Sequence, residues 1–415
     1  MSIKSMVAYN GREIPKEDKV FAASGAALDA VEKYGKANVI NATVGALYDD
    51  EGDLLVLKSV EKAMKSLPAP SFAAYAPIAG TPGFKDAILK AALYGFEPKS
   101  YTAVVGTPGG TGAIRNSIAN YSEPGDKILV PNWHWAPYKS ISNELYRDVE
   151  RFQMFNDKGG FNLEDFEYKV KKLTRNQEHL VIILNTPANN PTGYALTMDD
   201  WYGVKKVLDE VSLEKKIALV LDVAYIDFAG DPREVRSFFS VIDNLRTNVL
   251  PIIAYSASKT FTLYGARCAA MICFAHNPEV AEEFVKVNSF SCRNTWSNSS
   301  RAPQEVIERI YADPELFKVV EEERAAAREM LLARGRGFEE EAKKVGLDIV
   351  PFSAGFFVTV PCSDPDALAE ELKKKNAFVI PLATGGIRIS VASSSEAKCR
   401  KLPGLIKEAM ENLGM

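Results

Sequence analysis

Six short apolar runs in the middle of this chain restrict its fold more than any other feature. They are "YTAVVGT" (101–107), "KILVPN" (127–132), "HLVIILNT" (179–186), "IALVLDVAY" (217–225), "LPIIAYS" (250–256) and "CAAMICFA" (268–275). A strand with one face in water alternates apolar and polar residues, whereas these runs read as strands apolar on both faces. Between them lie helix-like stretches such as "GTGAIRNSIANY" and "TMDDWYGVKKVLDEV", the second opening on Thr197 and an acidic first turn. Doubly apolar strands separated by helices imply a mainly parallel sheet covered on both sides, a doubly wound α/β core.

The texture changes near residue 302. "PELFKVVEEERAAAREMLLARGRGFEEEAKKVG" reads as one long, charged helix, followed by expected strands "LDIVPF", "GFFVTV", "AFVIPL" and "IRISVA". This predicts a smaller α+β domain over 311–415, completed by residues 1–49 with an N-terminal arm, beside a large domain over 50–310. The length of 415 residues suits two domains. A net charge of -4 offers no basic field for nucleic acid. The first twenty residues carry charges throughout and no run of 18 apolar residues occurs, so the expectation is a soluble, cytoplasmic protein with no membrane partner. Five scattered cysteines without a CxxC pair, and only three histidines, indicate buried free thiols and no metal site.

Ligands of open α/β sheets bind at the carboxyl ends of the strands. After the first run comes "PGGTGAIR", a turn opening a helix that suits a phosphate or serves simply as a tight turn; it lacks both GK[ST] and GxGxxG. After the second comes "NWHWAPY", either packing or a platform for a ring. "TPANNPTGYA" follows the third, with Asn190 and Pro191 suited to a rigid turn around a cis peptide. Asp222 ends the fourth run, either as a helix cap or as a buried carboxylate that needs a donor or cation. "YSASKTFTLYGAR" then brings Lys259 and Arg267 to the end of the fifth. A lone lysine there is usually salt-bridged or snorkelling, but the company matters. A ring with a protonatable nitrogen, a phenolic oxygen, a phosphate and an aldehyde that joins a lysine together describe pyridoxal 5'-phosphate.

With these blocks in order, together with "NATVGALYDDEG", "AAYAPIAGTPGF", "DVAYIDFA", "CRNTWSN" and "SAGFF", the chain resembles the class I aminotransferases of the aspartate and aromatic amino acid type. These are pyridoxal-phosphate enzymes of fold type I, with a large domain of the seven-stranded type. The resemblance implies that Lys259 joins the cofactor and shuttles the substrate proton, and that Asp222 pairs with the pyridine nitrogen. Asn190 and Tyr225 would bond the phenolic oxygen and Trp133 would stack on the ring. Gly110, Thr111, Ser256, Ser258 and Arg267 would hold the phosphate. Arg388 would grip the substrate carboxylate, and Gly45 belongs to a loop that closes over it.

Tyr75 would reach the phosphate of a neighbouring subunit, and Arg293 would bind a side-chain carboxylate there, so a homodimer with shared sites is implied. The implied reaction is a ping-pong transfer of an amino group between an L-amino acid (aspartate, glutamate or aromatic) and a 2-oxo acid such as 2-oxoglutarate. A β-lyase or an aminocyclopropane carboxylate synthase-like enzyme would share the constellation. Two departures stand out. Gly109 replaces a phosphate-binding serine, and the histidine that usually supports the carboxylate of Asp222 has no clean counterpart except His134.

Overall fold

The computed structural model describes Met6 and residues 18–415; the rest of the expected N-terminal arm lies outside the described residues. Twelve strands occur among the described residues: β1 (Ile40–Asn41), β2 (Tyr101–Thr107), β3 (Lys127–Pro131), β4 (Asp148–Phe152), β5 (His179–Asn185), β6 (Lys216–Asp222), β7 (Val249–Ser256), β8 (Ala269–Ala275), β9 (Phe357–Pro361), β10 (Ala377–Phe378), β11 (Ile380–Leu382) and β12 (Gly386–Ser390). Seven form the central sheet in the order β2-β8-β7-β6-β5-β3-β4. All run in one direction except β8, which is antiparallel to both β7 and β2.

The doubly apolar reading of the strands holds residue by residue. Along β5, Leu180, Ile182 and Leu184 join one apolar cluster, while Val181 and Ile183 join another on the opposite face. β6 divides in the same way, Leu219 and Leu221 against Ala218 and Val220. Burial of each large aliphatic side chain contributes about 1.5–3 kcal/mol, so neither face can be solvated without unfolding. A third cluster gathers Ile40, Ala42 and Leu47 with residues between Ala327 and Ala409, and it also takes in Tyr225 and Phe228. The long helix Pro314–Lys344 joins the layers, with Val320 in the large cluster and Leu331 and Phe338 in the third.

Besides the short unforeseen strand β1, the sequence and structure differ in three places. "LDIVPF" forms no strand: Pro351 has no N–H to give a ladder, and Phe352 folds down onto the backbone at Gly193 and Gly335. "AFVIPL" is split at Val379 between β10, which pairs with β1, and β11, which pairs with β12. β4 was not expected, because "DVERF" is an edge strand with charged residues; Glu150 on it pairs with Lys169 at 2.7 Å and Lys172 at 3.1 Å.

One buried ion pair braces the sheet edge from behind. Asp227 lies just past β6, and its Oδ1 accepts from Arg236 Nη2 at 2.5 Å, both side chains being 2% exposed. Its Oδ2 accepts from the Tyr255 hydroxyl at 2.8 Å and the Thr260 hydroxyl at 2.6 Å, the residues that flank the segment containing Lys259. Arg236 also donates to the carbonyls of Ala92 and Pro232. Breaking a buried pair leaves the partner charge uncompensated. Asp227→Asn is therefore expected to lower the unfolding free energy by about 3–5 kcal/mol, read as an earlier midpoint in chemical denaturation.

Candidate active site

The polar groups converge where the parallel strands end. β2 leads into the helix Gly109–Tyr121, β3 into Trp133, β5 into Asn190, β6 into Tyr225 and β7 into the short helix Ala257–Thr260 that carries Lys259. Because β8 runs backwards, its start returns to this same edge. Ala269 pairs with Ser256, and the Ala257 amide donates to the Cys268 carbonyl at 3.0 Å, so Arg267 lies beside the lysine helix.

That geometry forms an anion cup. Ser256 caps the lysine helix by accepting from the Ser258 amide, and Gly110 faces the Ser256 side chain. Arg267 donates to the Ser258 hydroxyl at 3.4 Å and to the Tyr264 carbonyl at 3.0 Å. Gly109, at φ +74, leaves the space in which the Arg267 guanidinium sits; any side chain would overlap it. At the position where the sequence pattern lacks a serine, the arginine guanidinium therefore packs directly over the backbone of Gly109. Thr111 is exposed on the first turn of the glycine-led helix, where free amide groups and the helix dipole favour an anion.

Asp222 and Lys259 stand at this same edge and influence each other electrostatically. Asp222 is 8% exposed. Burial raises its carboxyl pKa, while the Tyr138 hydroxyl, the Ala224 amide and the charge of Lys259 oppose that rise. Tyr138 donates to Asp222 Oδ2 at 2.6 Å, and the Ala224 amide to Oδ1 at 3.3 Å. Burial pushes Lys259 down to about 8, against the attraction of Asp222 and with added repulsion from Arg267 and Arg388. Its Nζ lies 5.7 Å from the ring centres of both Tyr225 and Tyr264.

The support of Asp222 by Tyr138 was missed in the sequence, and His134 does not supply it. Nδ1 of His134 turns to the Pro131 carbonyl at 2.9 Å and the Asn132 carbonyl at 3.1 Å. The missed signal was a tyrosine at the start of a helix, directly after the aromatic loop; nothing local says that it points back across the sheet to β6.

The smaller layer closes the site from above. Arg388, on β12 and 7% exposed, donates to the Asn190 side chain at 3.3 Å and to the Thr43 carbonyl at 2.8 Å, with the Phe357 ring 4.3 Å from its guanidinium carbon. Its Nε has no protein partner, and burial lowers its pKa to about 10. Asn190 also donates to the Tyr225 hydroxyl at 3.3 Å. The expected cis peptide at Asn190–Pro191 is present, with a second at Thr186–Pro187. Trp133 lies against Gly386 of β12. Gly45 passes so close to Phe357 that a Cβ would come within 2.9 Å of the ring, and the Leu47 amide donates to the Tyr264 hydroxyl at 2.9 Å, tying this loop to the lysine segment.

Tyr75 and Arg293 are not brought to this centre. Tyr75 is 86% exposed, and the exposed Arg293 donates to the Ser297 hydroxyl at 2.7 Å.

The residues present fit a small phosphorylated pyridine. An anion cup, a buried carboxylate and a depressed lysine lie around one edge, and an orphaned guanidinium N–H stands above it for a further anion. A fold and site of this kind define a pyridoxal-phosphate-dependent transaminase. The chain belongs to the aminotransferase class I and II family, whose model matches residues 37–404.

It is similar to the crystal structure of an aminotransferase from Anaerococcus prevotii, at 34% identity and a TM-score of 0.94, over 98% of this chain and 99% of that one. It is 27% identical to an aromatic-amino-acid aminotransferase of Pseudomonas aeruginosa over 77% of this chain and 79% of the relative. The fold is shared with an aromatic-amino-acid aminotransferase from Burkholderia pseudomallei covalently bound to pyridoxal phosphate, at 21% identity and a TM-score of 0.80, over 99% of this chain and 100% of that one.

The lysine pKa has a direct consequence. In the cofactor-free protein, the fraction of neutral Lys259 amine rises through pH about 8, not the ordinary 10.5. Because only the neutral amine attacks an aldehyde or an arylating reagent, labelling of Lys259 is expected to follow that titration. Peptide mapping of the labelled protein as a function of pH checks it.

Proposed function

We propose that this transaminase exchanges the amino group of an L-amino acid (aspartate, glutamate or an aromatic one) with a 2-oxo acid such as 2-oxoglutarate, in two alternating half-reactions. The observation that carries this reading is the convergence of Lys259, Asp222 and Arg388 on one desolvated edge: a base, a counter-ion and a carboxylate receptor. Pyridoxal 5'-phosphate, when bound, supplies an aldehyde for amines and a ring that takes up negative charge from the substrate α-carbon.

The chain's residues then divide the work. Gly110, Thr111, Ser256, Ser258 and Arg267 hold the phosphate. Asp222 holds a proton on the pyridine nitrogen, Asn190 and Tyr225 bond the phenolic oxygen, and Trp133 fixes the plane of the ring. Arg388 orients the substrate through a bidentate pair with its α-carboxylate, for which a planar guanidinium is better suited than an ammonium. Lys259, neutral in an appreciable fraction near pH 8, takes the proton from the α-carbon. The loop at Gly45 excludes water above it.

Tyr75 and Arg293 act in the site of a neighbouring subunit, which makes the working form a homodimer. The exposure of both side chains, which leaves them free to meet a second copy of the chain, supports this. Arg293 then selects a substrate carboxylate. We place a large domain over 50–310 and a small one over 1–49 plus 311–415, a division supported by the gathering of Ile40, Ala42 and Leu47 with residues between Ala327 and Ala409, although Ala188, Tyr225 and Phe228 of the large domain also enter that cluster. We place the protein in the cytoplasm, in keeping with five free cysteines, four of them buried.

Lys259→Ala is expected to retain the cofactor without covalent attachment and to lose transamination by roughly 10²–10⁴-fold, measured in single-turnover assays. L-glutamate alone should change the visible absorption of the loaded wild-type enzyme, and 2-oxoglutarate should restore it; an absorption indifferent to glutamate would count against the dicarboxylate reading. In the same assay, Arg293→Ala is expected to slow glutamate and aspartate while sparing phenylalanine, and equal losses would give the arginine a structural role.

A further inference from the structure

Each oxygen of the Asp222 carboxylate has one protein donor, and the two are unlike. Oδ1 accepts from the backbone at Ala224, while Oδ2 accepts from the hydroxyl of Tyr138, which is fully buried. The phenol cannot swing away. Its helix begins at Pro137, the ring of Trp135 meets it edge-on at 5.5 Å, and the ring of His134 is stacked over it at 6.3 Å.

The chemistry of this donor differs from that of an imidazole. A phenol gives one proton and carries no positive charge, so it fixes the carboxylate without neutralising it. Burial and the neighbouring carboxylate hold the phenolic pKa well above 10, so Tyr138 remains a donor throughout the working range. Removing the hydroxyl would leave Oδ2 buried without a donor, and such a carboxyl retains its proton to higher pH.

We propose that Tyr138 is a positioning residue for the cofactor: its hydrogen bond fixes the Asp222 carboxylate in the ionised form that a protonated pyridine ring requires. The inference rests on the reading of Asp222 as the partner of the pyridine nitrogen. The titratable groups that face this pair are Tyr225 on the turn after β6, Lys259 on the helix after β7 and His134 on the loop after β3.

The test is binding to the cofactor-free protein, with no turnover required. Affinities for pyridoxal 5'-phosphate are measured between pH 6 and 9 for the wild type, Tyr138→Phe and Asp222→Asn. Inorganic phosphate serves as a probe of the anion cup alone. Tyr138→Phe is expected to weaken pyridoxal phosphate roughly tenfold or more at pH 7, to leave phosphate affinity within about twofold, and to move the acid-side loss of affinity to higher pH. A uniform loss at every pH, or an equal loss for phosphate, makes the role merely structural and overturns the proposal.

Unchanged affinity in Tyr138→Phe, with a loss in Asp222→Asn, overturns Tyr138 alone. No loss in Asp222→Asn removes the reading of Asp222, and the inference falls with it. Should the phenylalanine variant fail to fold, Tyr138→His carries the test. A titratable donor there should add a new step to the affinity profile near the ordinary imidazole pKa of ~6.5, and a profile without that step overturns the proposal.

Discussion

Desolvation at one edge of a sheet is the constraint on which the rest of this structure depends. Both faces of the inner strands of the central sheet are filled with aliphatic side chains, so away from the charged edge strand β4 the ionisable groups gather where the strands end. There they lie in a medium poor enough in water that Lys259, Asp222 and Arg388 are all driven toward their neutral forms. Mutual arrangement limits that drive. Asp222 steadies Lys259, Tyr138 steadies Asp222, and the Asn190 side chain and Thr43 carbonyl receive Arg388. A lysine of ordinary pKa at this place would be a poor base near neutrality, and a freely protonated Asp222 would be a poor counter-ion.

The reversed strand makes the centre compact. If β8 ran parallel to β7, the chain would have to cross the sheet before returning, and the start of β8 would lie at the opposite edge from Lys259. The antiparallel return puts Arg267 next to Ser258 within a few residues. The open position at Gly109 then lets the guanidinium descend to the helix terminus. Behind the site, Asp227 ties Tyr255, Thr260 and Arg236 together, so the lysine helix is held from the side away from solvent.

Much of the centre was legible in the sequence because its residues follow apolar strands whose ends are marked by the end of the apolar run. Asp222 closing "IALVL" and Lys259 following "LPIIAYS" need only the rule that ligands bind at carboxyl edges. Arg388 and Gly45 were named through family resemblance, since neither a strand arginine nor a loop glycine announces a partner. Tyr138 was not legible at all. Its hydroxyl meets a residue far along the chain, and the loop before it offered a histidine that the structure turns toward the backbone. The charged edge strand β4 escaped for a similar reason, because "DVERF" carries no apolar period and is a strand only through its neighbour β3.

The sequence by itself determined the elements and their chemistry: which segments must be buried on both faces, where the polar residues interrupt them, and that a lysine, a carboxylate and arginines stand at those interruptions. Strand order, the reversal of β8, the placing of β12 over the edge and the choice of Tyr138 over His134 as the support of Asp222 were decided by the tertiary structure. The physical reason is range. Period and propensity act over one or two turns of chain, whereas the hydrogen bonds and desolvation that set these groups to work join residues brought together only when the apolar faces close.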